Sequence, residues 1–219
     1  MKNGEDFSKT FNDFWEFVDE YVEKGKEVEL KMKVLRKMQM KIGNPVAECH
    51  VGDQIAVKLP GQKMTATCHK VTDQGALFVF DDCITRHQMN DTDTNEGGYA
   101  ESDLCEWLNS ELFEMFPDKL KRKMQKFSDG SMVRLLTYGE VFGSEDIPSW
   151  VTPDGNEQLP LMKDRRNRIA FIEGEWCWWW LQNPCSDGAS GFANVNYLGY
   201  AYYSSASTSG GVRPAFLIA

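Results

Sequence analysis

Residues 176 to 180 read Trp-Cys-Trp-Trp-Trp, four tryptophans in five positions. Each packed indole buries on the order of 150–250 Å², so a small or loosely built fold cannot absorb this run. On an extended strand Trp176, Trp178 and Trp180 leave one face, while Cys177 and Trp179 leave the other. At least one of those faces has to be deep core. An aromatic core strand is therefore the preferred reading over an aromatic platform for a ligand.

The remaining patterns supply what such a strand can pack against. "DQIAVKL", "TATCHKV" and "ALFVFDDCI" are short apolar runs separated by "PGQ" and "TDQG", the punctuation of an antiparallel meander. "ESDLCEWLNSELFEMF" reads as a helix capped at Ser102, with Leu104, Leu108, Leu112 and Met115 on one side. A second short helix is expected around "PDKLKRKMQKF", then "VRLLTYGEVFG", a long polar loop from 144 to 168, and the strand "RIAFIE". Helices and strands are segregated rather than alternating, which predicts an α+β domain and not a doubly wound sheet.

Ahead of the domain, residues 5 to 42 read as helix. Phe7, Phe11, Phe14, Val18 and Val22 share one face, Gly25 interrupts, and Val28, Leu35, Met38 and Ile42 resume the stripe until Pro45. The expected division is a helical segment over 1–45 and a domain body over 46–219. Such a phenylalanine stripe needs cover; docking on its own domain and packing against a second copy, as a homo-oligomer, both remain open.

Charge narrows the partners. A formal net charge of -9 leaves little to neutralise phosphates, so nucleic acid is not expected. No signal peptide is visible and no apolar run is long enough to span a membrane. Six cysteines scattered through a chain of 219 residues are expected as free thiols rather than a disulfide framework.

Few residues suggest catalysis. Cys49-His50 and Cys68-His69, with Cys83 and His87 as reinforcements, invite a zinc reading. Neighbours on a strand point to opposite faces, so neither pair readily offers two ligands to one ion. The expectation is no metal and no cofactor, with buried thiols and surface histidines instead. Cys177 and Cys185 flank the tryptophans as a candidate thiol pair, but no base lies nearby in sequence to activate either. "GEVFG" and "SGG" are too short to be phosphate loops.

"WWWLQNP" followed by "GGVRPAF", with "VGDQIAV", "ESDLCEWLNSELF" and "VRLLTYGEVFG" upstream in order, resembles a bacterial and phage domain family whose hallmark is WWLRSP…GVRPA. The likeness covers roughly residues 46 to 219; "VRLLTYGEVFG" corresponds to a strand of that family. "LQNP" departs from the pattern at Gln182 and Asn183. Members that end in this way resemble the variable proteins of diversity-generating retroelements. That resemblance implies a C-type-lectin-like fold of the subgroup related to formylglycine-generating enzymes. It also implies a C-terminal variable region over about 182–211 and a phage or prophage product, in the virion or the cytoplasm.

The resemblance gives meaning to the narrow alphabet near the end of the chain. From Asn194 to Gly211, apart from Val195 and Leu198, only Asn, Tyr, Ser, Thr, Ala and Gly occur. In such systems adenines of a template are copied with errors, so asparagine codons spread over a limited set that includes all of these residues. The implied contact residues are Asn194, Asn196, Tyr197, Leu198, Tyr200, Ala201, Tyr202, Tyr203, Ser204, Ser205, Ser207, Thr208 and Ser209. Physically the mixture suits binding: tyrosines offer large, fairly rigid surfaces and serines offer adaptable hydrogen bonds, as in a paratope. A loop or irregular strand is expected across "GYAYYSS", since Tyr202 and Tyr203 cannot share a face. Val212, Ala215 and Phe216 are expected to return to the core, with Pro214 at a strand entry.

The function this implies is non-enzymatic binding of a macromolecular or cell-surface ligand. Two alternatives stand beside it: an enzyme related to formylglycine-generating sulfatase modifiers using Cys177 or Cys185, and a calcium-dependent lectin.

Overall fold

The computed structural model describes residues 49–219; the helical segment expected over 1–45 and its boundary with the domain lie outside the described residues. β1 (Gln54–Leu59), β2 (Gln62–Thr72) and β3 (Gly75–Phe80) form the expected antiparallel meander. After β4 (Thr85–His87) comes the helical stretch, α1 (Asp103–Trp107), a π turn over Leu108–Leu112 and α2 (Phe113–Met115). α3 (Asp118–Lys121), β5 (Met124–Gln125), β6 (Val133–Arg134) and α4 (Tyr138–Phe142) follow. Two 3₁₀ turns, Pro160–Lys163 and Arg165–Arg168, order part of the long polar loop. The remaining strands are β7 (Ala170–Ile172), β8 (Glu175–Cys177), β9 (Trp179–Pro184), β10 (Gly191–Val195), β11 (Ala201–Ser205), β12 (Gly210–Val212) and β13 (Ala215–Ile218).

These strands build a six-stranded sheet ordered β1-β2-β3-β13-β5, with β6 also on β13, and a five-stranded sheet ordered β11-β10-β9-β12-β4; β7 and β8 form a separate hairpin. The architecture is mostly sheet with a few short helices, an α+β domain. The last strand of the chain lies inside the larger sheet, between β3 and the β5 and β6 pair. It fits beside β3 because Gly75 has no side chain: a Cβ there would stand 2.5 Å from the Ile218 carbonyl oxygen.

Alternation sends side chains to two cores. Phe78, Phe80, Trp180 and Phe216 enter one with Leu104, Leu108 and Leu112. Leu77, Val79, Trp179, Leu181, Ala215 and Leu217 enter the other with Tyr138, Val141 and Met162. Strands buried on both faces lose polar alternation and read as continuous apolar runs. That is why both Trp179 and Trp180 are fully buried.

The tryptophan run is nevertheless not one strand. β8 ends at Cys177 and β9 begins at Trp179, and the Trp178 carbonyl between them accepts a bond from Gly211 N at 2.9 Å. Trp176, expected on the face of Trp180, belongs to the hairpin and is 52% exposed. Buried indole N–H groups need acceptors: Trp179 donates to the Arg168 carbonyl at 2.8 Å and Trp180 to that of His87 at 3.0 Å.

The first helix starts where expected, with the Ser102 hydroxyl accepting from Cys105 N at 3.1 Å. Met115, however, is exposed and Phe116 is buried in its place. The π turn is the cause, because its wider loop shifts the phase of all later residues. It also aims Asn109 at β6, donating to Val133 O at 2.9 Å and accepting from Met132 N and Val133 N at 2.7 and 3.1 Å. "VRLLTYGEVFG" is corrected too: only Val133–Arg134 pair as strand, after which Thr137 and Glu140 make a capping box that begins α4.

His69 is the other correction. It is buried rather than a surface histidine, at a register shift between Cys68 and Lys70 where β2 carries an extra residue. Its Nδ1 has no hydrogen-bond partner among the described residues. Burial, aided by the nearby Arg213 charge, pushes its pKa down to about 3 from 6.5. The folded state therefore refuses a proton that the unfolded chain accepts below pH 6.5. Stability should fall with decreasing pH between those two values, by about 1.4 kcal/mol per pH unit. Urea unfolding at pH 6 and pH 5 should show that slope, reduced in His69→Gln; an unchanged slope in the variant would assign it to other groups.

Candidate functional site

The segment singled out for contact forms one edge of the five-stranded sheet. β10, beneath it, is wholly buried, and β11 pairs along its full length with β10 from Gly191↔Ser205 to Val195↔Ala201. The expected loop across "GYAYYSS" is thus a regular strand. The inference from alternation failed because an edge strand with no sheet cover leaves both faces open.

Five of the nine exposed large apolar or aromatic residues among those described fall here: Tyr197, Leu198, Tyr200, Tyr202 and Tyr203, at 46 to 58% exposure. Tyr202 lies opposite Asn194 and Tyr203 opposite Ala193, so the two rings leave opposite faces. Their centroids still approach to 5.4 Å at an interplanar angle of 15°. Tyr203 also packs on Trp150, centroids 5.1 Å apart.

A tight turn presents Tyr197 and Leu198. Asn196 Oδ1 accepts from Leu198 N at 2.9 Å and Tyr200 N at 3.0 Å, and Asn196 N donates to Tyr200 O at 2.8 Å. Gly199 holds φ 78°, and a Cβ there would lie 2.8 Å from Arg165 O. Arg165 braces the turn from outside, donating to Leu198 O at 2.8 Å and standing 4.9 Å over the Tyr200 ring. The local charge around Lys163, Arg165, Arg166 and Arg168 is positive in an acidic chain, and Asp164 pairs with Arg166.

The other expected contact residues divide. Ala201, Ser204 and Ser205 are half-buried; Ser207, Thr208 and Ser209 are exposed on the turn before β12. Ser207 gives both its amide and hydroxyl to Asp93, at 3.1 and 2.6 Å, and these bonds hold the Asp93 carboxyl below the usual range. Asn194 lies under the surface, bonded to Ser204 Oγ at 3.0 Å. At the start of the region, Asn183 is buried framework: it accepts from Tyr138 N at 2.6 Å and donates to Thr152 O and Asp154 Oδ2, both at 2.8 Å. Gln182 donates to Leu135 O at 2.7 Å. Trp150, Asp93 and Arg165 are site residues that sequence reading missed, since each reaches the segment from a distant loop.

The candidate pair of Cys177 and Cys185 is not disulfide-bonded, and the expected free thiols are found. Cys177 donates to Trp178 O at 3.2 Å and neighbours Cys83, both sulfurs lying 2.6 Å from where a Gly211 Cβ would stand, whereas Cys185 packs against Gly191, its thiol pushed up to about 11 by burial and by Asp187. All six are free thiols. Among the described residues no three His, Cys, Asp or Glu side chains cluster as metal ligands, and no helix is long and apolar enough to cross a membrane.

Fold and surface together define a mainly β, α+β domain that presents a tyrosine-rich sheet edge on a buried frame. The chain belongs to a domain family of unknown function, DUF6273, whose model matches residues 74–219, from the β2–β3 turn to the C-terminus. No curated protein and no solved structure shows significant similarity.

Proposed function

We propose that this chain is a non-enzymatic binding protein, the variable protein of a phage or prophage diversity-generating retroelement with a C-type-lectin-like scaffold. Its contact surface is the turn and edge strand from Asn196 to Ser209. One observation carries the reading. Within the stretch with the restricted alphabet, exposed aromatics concentrate from Tyr197 to Tyr203, while its two ends, in β10 and β12, are buried as frame. A region that tolerates substitution has to sit outside the packed core, and a region that binds has to expose large side chains. Both conditions meet at Tyr197, Leu198, Tyr200, Tyr202 and Tyr203.

Two measurements test this. Sequencing of the flanking DNA should find a reverse-transcriptase gene and a near-copy of the codons for this region, differing at adenines; a locus holding neither removes the retroelement part of the reading. Separately, Tyr200→Ser, Tyr202→Ser and Tyr203→Ser should each change unfolding free energy by no more than about 0.5 kcal/mol. The triple variant should lose binding to intact cell surfaces on which the parent chain is retained. Tyrosine variants as unstable as core variants would mean that the segment is framework and not display.

A further inference from the structure

Cys83 and Cys177 are 94 positions apart in the chain yet stand together at the base of the β7–β8 hairpin. Cys83 N donates to Phe171 O at 3.0 Å, and Phe171 N returns a bond of the same length to Asp82 Oδ1. Cys177 lies in register with Ala170, the neighbour of Phe171. β12 meets both sulfurs from one side at Gly211, where a Cβ would lie 2.6 Å from each Sγ. One methyl-sized volume would thus touch both sulfur atoms, and each thiol shifts the titration of the other. Cys83 also lines an open cleft of about 580 Å³ between the β1–β2 turn and the hairpin, walled by Gln62, Asp82, Ile84, Ile172 and Glu173.

We propose that Cys83 and Cys177 form a redox-active dithiol that peroxide-class oxidants, entering through this cleft, convert to an intramolecular disulfide. The contact-surface reading makes no use of these thiols. Both residues are almost fully buried, which restricts the oxidant to small molecules. The neighbouring Cys83 thiol lowers the Cys177 pKa against the opposing effect of burial, with help from Arg86; the same proximity raises Cys83. Either sulfur can open the reaction, by the same two steps; in one course the attacking thiolate is Cys177. It takes one peroxide oxygen as the O–O bond breaks, becoming a sulfenic acid, and the leaving hydroxide is protonated to water. Cys83 sulfur then attacks the sulfenic sulfur, the S–O bond breaks, and a second water leaves with the Cys83 proton. Two thiols and one peroxide give one disulfide and two waters. The bond would tie the loop after β3 to the hairpin that carries the exposed Trp176.

The molecule contains its own comparison. Cys49 and Cys68 also influence each other's titration, but burial raises both thiols, Cys68 to about 12. That pair should react last. The full, reduced chain is treated briefly with hydrogen peroxide and then alkylated in denaturant. Thiols should fall by two from six, the intact mass should drop by two hydrogens, and a Cys83–Cys177 peptide pair should appear and vanish with dithiothreitol. Retention of all six thiols, or a Cys49–Cys68 link in its place, would overturn the proposal. Cys83→Ser should stop at a Cys177 sulfenic acid that dimedone captures. Cys185→Ser, outside the pair, should still lose two thiols, and if it does not, the pairing is wrong.

Discussion

Truncation of Trp180 to alanine should lower the unfolding free energy by about 3–5 kcal/mol, and Phe216→Ala by a similar amount. Both side chains are fully buried in the same core. Phe216 lies 5.3 Å from the Phe116 ring, 5.6 Å from Phe80 and 6.0 Å from Phe78, so its loss leaves a cavity bounded by three rings that cannot all move in. Trp180 adds a polar cost, because its removal leaves the His87 carbonyl without the indole donor. Urea unfolding should show a lower midpoint at constant slope for each variant. A loss below about 1 kcal/mol for both would mean that this core can collapse around the void, and the placement of Trp180 and Phe216 in a tightly packed core would be wrong.

The same region shows what a reader of the sequence can and cannot see. Four tryptophans in five positions demand a core, and the structure places two of them in two cores. What alternation could not locate is the break at Trp178, since nothing in the residue types marks where one strand ends and the next begins. The meander of β1 to β3 was legible because turn signals separate its strands, and the helix at Ser102 because its cap and leucines agree. Its π turn was not legible, and so Met115 was assigned inward. The α4 capping box was present in plain view as Thr-Tyr-Gly-Glu, but the apolar run before it suggested a strand. At the candidate site, composition pointed to a segment that the fold leaves exposed at a sheet edge. It missed that Asn194 and Asn183 serve the frame, because an asparagine that bonds backbone is indistinguishable by type from one that meets a ligand. Contacts such as Cys83 with Cys177, or Trp150 with Tyr203, depend on long-range topology and leave no local trace.

Glu140 is the other position where a single change should be severe. Its carboxylate accepts from Arg134 Nη1 at 2.7 Å and Nη2 at 2.5 Å, and also from Thr137 N at 2.9 Å. Both side chains are mostly buried, at 13% and 10% exposure, and the Arg134 guanidinium stands 4.4 Å over the Phe127 ring. Burial works against the Arg134 charge, yet the bonds and attraction to Glu140 hold its pKa above the ordinary value. Glu140→Leu would leave that cation buried without its partner and undo the α4 cap, with an expected cost of about 3–5 kcal/mol. The double variant Arg134→Met with Glu140→Leu removes both charges together. It should recover most of the loss, retaining about 1 kcal/mol for the missing cap. Such recovery is a coupling that independent sites do not show. If the double variant were as unstable as the sum of the singles, the pair would not be acting as a unit, and the cost of Glu140→Leu would belong to the cap and to packing around α4.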